Sequence, residues 1–313
     1  MTWVAWRVQR AQLLAGVLAC AALAAFLFAT GLSMGHDPTW KYWTDGVTVL
    51  LEVLPGLLGL GVGAPLVAAE LHQGTERLAF SQSVSRRHWL SAKLLLATGL
   101  TALATALLSL LLWWWTGAVS LPFSLGSGGF DGVRVQPVGF DVTGLVVVAY
   151  TLFAFFLGTA LGAFLRRPGW AFAAGLPLFA AVRLTIERWV RPGLVAPAAV
   201  VRLGGFARFP QTRGWVLHQG VLPAGRLAPA PGHSWTAFPS TLASCLRSVK
   251  VSSASRFEDA QRHCALVTHL RFVTQYQPEG HYWPLQGGEA GIFLVMAAVL
   301  AGLTFLALGW SIE

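Results

Sequence analysis

Glu52, Arg183, Glu187 and Glu289 stand inside otherwise apolar runs. Glu52 lies in "VTVLLEVLPGLLGLGVGAPLVA", Arg183 and Glu187 in "AVRLTIERWV", and Glu289 heads "EAGIFLVMAAVLAGLTFLAL". Charged groups in such surroundings pair with one another or line a water-filled path. Arg183 and Glu187 are four residues apart, which puts them on one helical face. With all four at similar depth, the set reads either as an outer gate or cavity-lining charge network, or as fixed interhelical salt bridges. Heads that merely snorkel to the surface are the blandest version.

A second group of polar residues interrupts the apolar pattern between positions 69 and 93, "AELHQGTERLAFSQSVSRRHWLSAK". Glu70 closes the run before it. "GTERLAFSQ" reads as a short helix, with Thr75 as cap and Glu76 near the positive N-terminus. Leu78 and Phe80 are apolar knobs on it. A new helix follows at "SVSRRHWLSAK", with Ser83 or Ser85 as cap, then Arg86, Arg87 and Trp89. Such a segment suits docking into a groove on a partner, or it lies on the membrane surface with no partner.

Catalysis finds little support. His218, His233, His263, His269 and His281 are scattered, and no Ser/His/Asp, paired-carboxylate or His-Glu-x-x-His pattern occurs. No Gly-x-x-x-x-Gly-Lys-Ser/Thr phosphate loop is present, and the glycine-rich "GLGVGAP" at 59–65 sits within an apolar run, where it reads as a close-packing surface. Cys245 and Cys264 sit on two predicted external helices and read as a disulfide. A metal site from His263, Cys264 and His269 competes with it, but its spacing is not a known ligand pattern. Cys20 reads as inert packing. We assign no metal.

The elements that position these groups follow from composition. Of 313 residues 55% are hydrophobic and 11% charged, far below the roughly 25% charge of soluble domains. The net charge of +9 would suit nucleic acid, but in so apolar a chain it belongs at helix ends facing lipid and water. A spanning helix needs about 20 apolar residues, and six candidates occur: 11–32, 47–69, 93–116, 142–165, 170–190 and 288–310. Pro55 and Pro65 kink the second rather than end it. The first is too long for a signal-peptide core, and "MTWVAWRVQR" before it reads as an interfacial helix. "RRPGW" makes a tight basic turn between the fourth and fifth. Trp113, Trp114 and Trp115 suit an interfacial belt, and "GTALG" at 158–162 has helix-contact spacing.

Arg7, Arg10, Arg77, Arg86, Arg87, Lys93, Arg166 and Arg167 share one side, against Lys41 and Arg134 on the other short loops. The basic side is cytoplasmic, so both termini are expected there. The expected fold is therefore an all-α polytopic membrane protein. A membrane domain occupies 1–190, an extracellular domain 191–287, and the last helix with its cytoplasmic tail 288–313. The extracellular stretch holds ten basic groups, Arg191 among them, against three acidic ones. Its first half reads as loop; "STLASCLRSV" and "RFEDAQRHCALVTH" read as helices.

The run "GAPLVAAELHQGTERLAFSQSVSRRHWLSAKL" resembles the loop after the second span in permeases of type-2 ABC exporters. In that family a Glu, then Gly-Thr, then an apolar run ending in Val-Ser-Arg marks the helix that touches the ATPase. "YQPEGHYWPLQGGEAGIFL" is similar to the pattern ahead of the last span in actinobacterial members. With "ALGAFLRRPGWAFAAGLPLFAAVRLTIERWVRP", the likeness covers essentially the whole chain. Ser83 stands where the wider family often has Pro. The resemblance implies that Glu70, Gly74, Thr75, Glu76, Leu78, Phe80, Arg86 and Arg87 couple the chain to two copies of an ATP-binding subunit, which hold ATP and Mg. It also implies a second permease copy or relative, membrane lipid around the assembly, a bacterial cell membrane, and no cofactor in this chain. A membrane-embedded scaffold or sensor, with a basic external domain that binds an anionic ligand, is the alternative.

Overall fold

In the computed structural model, the described residues are 41–73, 86–118, 134–203, 214–222, 240–248 and 271–310, with single positions between 16 and 29 and between 260 and 268. The chain forms two compact units. One comprises Met1–Gly132, Pro137–Arg191 and Trp283–Glu313; the other comprises Val133–Gln136 and Pro192–Tyr282.

The first unit is helical. Its described elements are α1 (Lys41–Gln73), α2 (Arg86–Ala118), the short α3 (Pro137–Val142), α4 (Leu145–Leu165) and α5 (Pro168–Thr185). A π-helical turn (Ile186–Val190) runs on into α6 (Arg191–Leu194), and α8 (Tyr282–Trp310) closes the chain. Five helices among the described residues are long and apolar enough to cross a membrane: Leu50–Ala69, Ser91–Trp115, Leu145–Leu165, Pro168–Leu194 and Glu279–Ala307. The first apolar run, 11–32, is helical at each of its described positions, 16, 18, 21–26, 28 and 29. The interfacial reading of 1–10 falls outside the described residues.

Helix α4 is the most buried of the five, and its composition explains why. Gly158 and Gly162 face α1, and a Cβ at either would come within 2.7 Å of the Ala64 backbone. From the other side, a Cβ on Gly59 or Gly63 would overlap the carbonyl oxygens of Thr151 and Phe155. Interleaved glycines thus let two backbones touch, and dispersion replaces the hydrophobic drive that lipid cannot supply. Leu66, Val67, Leu94, Ala97, Phe155 and Ala163 pack beside this crossing. Helix α1 runs unbroken through Pro55 and Pro65. Trp115 is buried with Leu51, Leu108 and Leu112, whereas Trp113 and Trp114 are exposed, so only those two fit an interfacial belt.

Helices α4 and α5 are joined by Arg166 and Arg167 alone. Arg166 takes φ 55, ψ 14 and donates its N–H to the Gly162 carbonyl at 3.0 Å. A left-handed backbone at a non-glycine residue costs about 1–2 kcal/mol, and Pro168 then starts α5 with its φ preset.

The second unit corrects the all-α expectation. The stretch 191–287 contains a three-stranded antiparallel sheet of β1 (Ala198–Leu203), β2 (Gly214–Leu222) and β3 (Arg271–Pro278), in the order β1-β3-β2. Residues read as loop are strands because β3, buried at Phe272, Val273 and Thr274, offers both edges for pairing. Helix α7 (Ser240–Ser248) lies between β2 and β3 in sequence. Cys245 and Cys264 are joined by a disulfide with Cα atoms 5.7 Å apart, which removes Cys264 as a thiolate metal ligand. Gln277 donates to the carbonyls of Pro192 and Val195, at 3.2 and 2.6 Å, and holds the entry to β1 against β3.

Candidate functional site

The first unit buries an ionic network. Asp141 from α3 receives Arg191 Nη2 on Oδ1 at 2.5 Å and Arg183 Nη2 on Oδ2 at 3.1 Å. Glu289 from α8 receives Arg191 Nε on Oε2 at 2.6 Å and Arg191 Nη2 on Oε1 at 2.9 Å. The Tyr150 hydroxyl lies 2.6 Å from Glu289 Oε1, 3.1 Å from Asp141 Oδ1 and 3.1 Å from Arg191 Nη2. Arg183 also donates through Nη1 to the main-chain carbonyl of Glu52. Glu289, Arg191 and Asp141 are 0%, 1% and 2% exposed. Arg183 is 7% exposed, so two carboxylates and two guanidiniums neutralise one another almost wholly inside the unit, the arrangement that makes buried charge tolerable.

Local sequence explains how the members meet. Eight residues of α-helix would leave Arg191 about 80° round from Arg183. The π turn at 186–190 takes up one extra residue, cancels about 100° of rotation, and returns both arginines to one face. Asp141 is aimed by α3, which Gln286 holds. Gln286 Nε2 donates to the Phe140 and Thr143 carbonyls, each at 3.0 Å, and its Oε1 accepts from Val146 N at 3.0 Å. Ser109 Oγ on α2 donates to the Gly144 carbonyl at 2.8 Å. Gly144, at φ 81, makes the turn from α3 into α4. Arg191 lies 4.5 Å from the Phe140 ring centroid and Arg183 5.1 Å from that of Tyr150, so aromatic faces cover both cations.

Of the four intramembrane charges read from sequence, Arg183 and Glu289 enter the network by side chain and Glu52 by its carbonyl. Glu187 is half-buried, and neither carboxylate, of Glu52 or of Glu187, makes an ion pair among the described residues. Arg191, counted above with the external basic groups, is a central member instead. Asp141 and Tyr150 were also missed. Arg183 Nε and Arg191 Nη1 are buried without a hydrogen-bond partner, so the network has donors to spare.

The segment 74–85, holding Gly74, Thr75, Glu76, Leu78 and Phe80, lies outside the described residues. So do the side chains of Glu70, Arg86 and Arg87, although Glu70 is in α1 and the two arginines open α2. Among the described residues no three His, Cys, Asp or Glu side chains are grouped to hold a metal ion.

Apolar helices of membrane-crossing length, packed round paired charges, define a polytopic membrane protein. Residues 35–191 match the family described as ABC-2 membrane transporter related, and the chain belongs to that family. The matched region includes Glu52, Asp141, Tyr150, Arg183 and Arg191, while Glu289 and the last span lie beyond it. Comparison with curated proteins and with solved structures found no match.

Proposed function

We propose that this chain is the permease subunit of an ATP-driven exporter, coupled to separate ATP-binding subunits through the segment between α1 and α2. One observation carries this: residues of the family match include two long helices, Lys41–Gln73 and Arg86–Ala118, that lead directly into and out of the polar segment. Glu70, Gly74, Thr75, Glu76, Leu78, Phe80, Arg86 and Arg87 form the docking surface, and the partner holds ATP and Mg. Two ATP-binding subunits and a second permease copy or close relative complete the assembly. It sits in a bacterial, on the family likeness actinobacterial, cell membrane with both termini cytoplasmic. ATP binding and hydrolysis shift the population between inward- and outward-open cavities through differential binding.

In this reading the Asp141–Arg191–Glu289–Arg183 network is an outer gate in its closed form. Its burial, and the spare donors on both arginines, support a set of contacts that can re-pair when helices shift. Affinity purification of the tagged chain from its own cells tests the coupling. An ATPase subunit should be recovered with it and lost from Gly74→Trp and Glu76→Arg variants; an assembly lacking any ATPase refutes the reading. Normal export by a folded Arg183→Ala protein would refute the gate alone.

A further inference from the structure

We propose that the basic turn between α4 and α5 binds one anionic phospholipid, its phosphate held by Arg166 and Arg167 and an acyl chain laid along α5. The assignment rests on the orientation proposed above, which puts this turn at the cytoplasmic leaflet, where anionic lipid is found.

A groove of about 690 Å³ opens at the turn, lined by Arg167, Pro168, Gly169, Trp170 and Ala173. Arg166 and Arg167 are both exposed, and neither has a carboxylate partner among the described residues. The guanidiniums of these two consecutive residues each present donors in a fixed fork, the geometry that takes a phosphate bidentately. The backbone adds a second argument. Arg166 occupies a left-handed position that glycine would accept without strain, so the arginine is not there for the backbone geometry, although its charge suits the C-terminus of α4.

Beyond the groove, one stripe of α5 stays exposed. Trp170 is 64% exposed, and Ala173, Ala174, Pro177 and Leu178 follow it, all exposed and spaced to share a face. Small alanines between Trp170 and Leu178 make an exposed apolar strip that leads away from the two charges. An acidic peptide would use the arginines but not that strip. A lipid with an anionic head uses both, and a zwitterionic one brings its own cation against the pair.

Native mass spectrometry of the full chain in detergent, with equal amounts of phosphatidylglycerol and phosphatidylcholine added, tests this. Two basic groups predict a preference for phosphatidylglycerol of about thirtyfold. The doubly substituted Arg166→Gly, Arg167→Gln protein should fall to parity while melting no lower than the parent, because glycine relieves the strained backbone. Parity in the parent, or an unchanged preference in the variant, overturns the site. Displacement of the bound lipid by millimolar inorganic phosphate alone also overturns it, in favour of a free-anion site. Maleimide labelling of Gly169→Cys in intact cells, against the unsubstituted parent, separates the orientation from the site. Protection is expected; labelling from outside overturns the orientation, and with it the leaflet assignment, whatever the lipid count.

Discussion

Arg191 grips both carboxylate oxygens of Glu289, through Nε at 2.6 Å and Nη2 at 2.9 Å, across 98 positions of sequence. The pair joins the end of the Pro168–Leu194 span to the start of the last, and both partners are buried. Removing one side should leave an uncompensated buried charge. Glu289→Ala should therefore cost about 3–5 kcal/mol, and Glu289→Gln less, since its amide oxygen still accepts from Arg191. Residual monodisperse protein after a heating series in detergent reads the order: parent, Gln, Ala.

The glycine crossing between α1 and α4 gives a sharper contrast. Gly63 faces the Phe155 backbone, where no side chain can yield, whereas Gly61 faces open space. Gly63→Ala should force the helices apart and lose about 1–3 kcal/mol. Gly61→Ala should be neutral or gain up to about 1 kcal/mol in helix propensity. Thermal inactivation of the two variants side by side decides it, and equal effects would contradict the close approach.

The π turn makes an unusual claim about length. Because it amounts to one residue more than α-helix, deleting Trp189, which is 77% exposed, should restore plain α-helix and keep Arg191 facing Asp141. Inserting an alanine after Trp189 should rotate Arg191 away by about 100° and cost as much as Arg191→Ala, about 3–5 kcal/mol. The expected result is that the shorter chain outlasts the longer one in the same heating series.

Gln286 satisfies three backbone groups at once, in Phe140, Thr143 and Val146. In Gln286→Leu those groups stay buried and lose this partner, at about 1–3 kcal/mol for each one left unsatisfied. Hydrogen exchange should rise at the Val146 amide and through α3, while the α1–α4 crossing keeps its protection. Uniform change along the chain would mean that Gln286 supports the whole unit rather than this corner.

Sequence made the spanning helices plain, because about 20 apolar residues in a row have few other uses. Glu52, Arg183 and Glu289 were visible for the same reason: charge is conspicuous in such runs. Asp141 escaped because it stands one residue before the fourth run as read, where an acid looks like ordinary loop. Arg191 escaped because α-helical spacing groups Arg183 with Glu187; nothing in "IERWV" announces a π turn. The strands were hidden differently. The bulge between Val216 and His218 breaks the alternation of β2, though "RFVTQYQP" in β3 carried enough Val, Phe, Thr and Tyr to have suggested a strand.

Helix α1 runs 33 residues without a break, about 50 Å along its axis, clasped near its middle by Gly59 and Gly63. From that clasp Gln73 lies about 18 Å one way and Glu52 about 14 Å the other. Each arm carries one proline, Pro55 or Pro65, a place where a helix bends, so the clasp acts as the pivot of a two-armed lever with a joint in each arm. Lateral displacement of the Gln73 tip by 1 Å reaches the Glu52 carbonyl, and the arginine hanging from it, as up to about 0.8 Å in the opposite sense, less what the two prolines absorb.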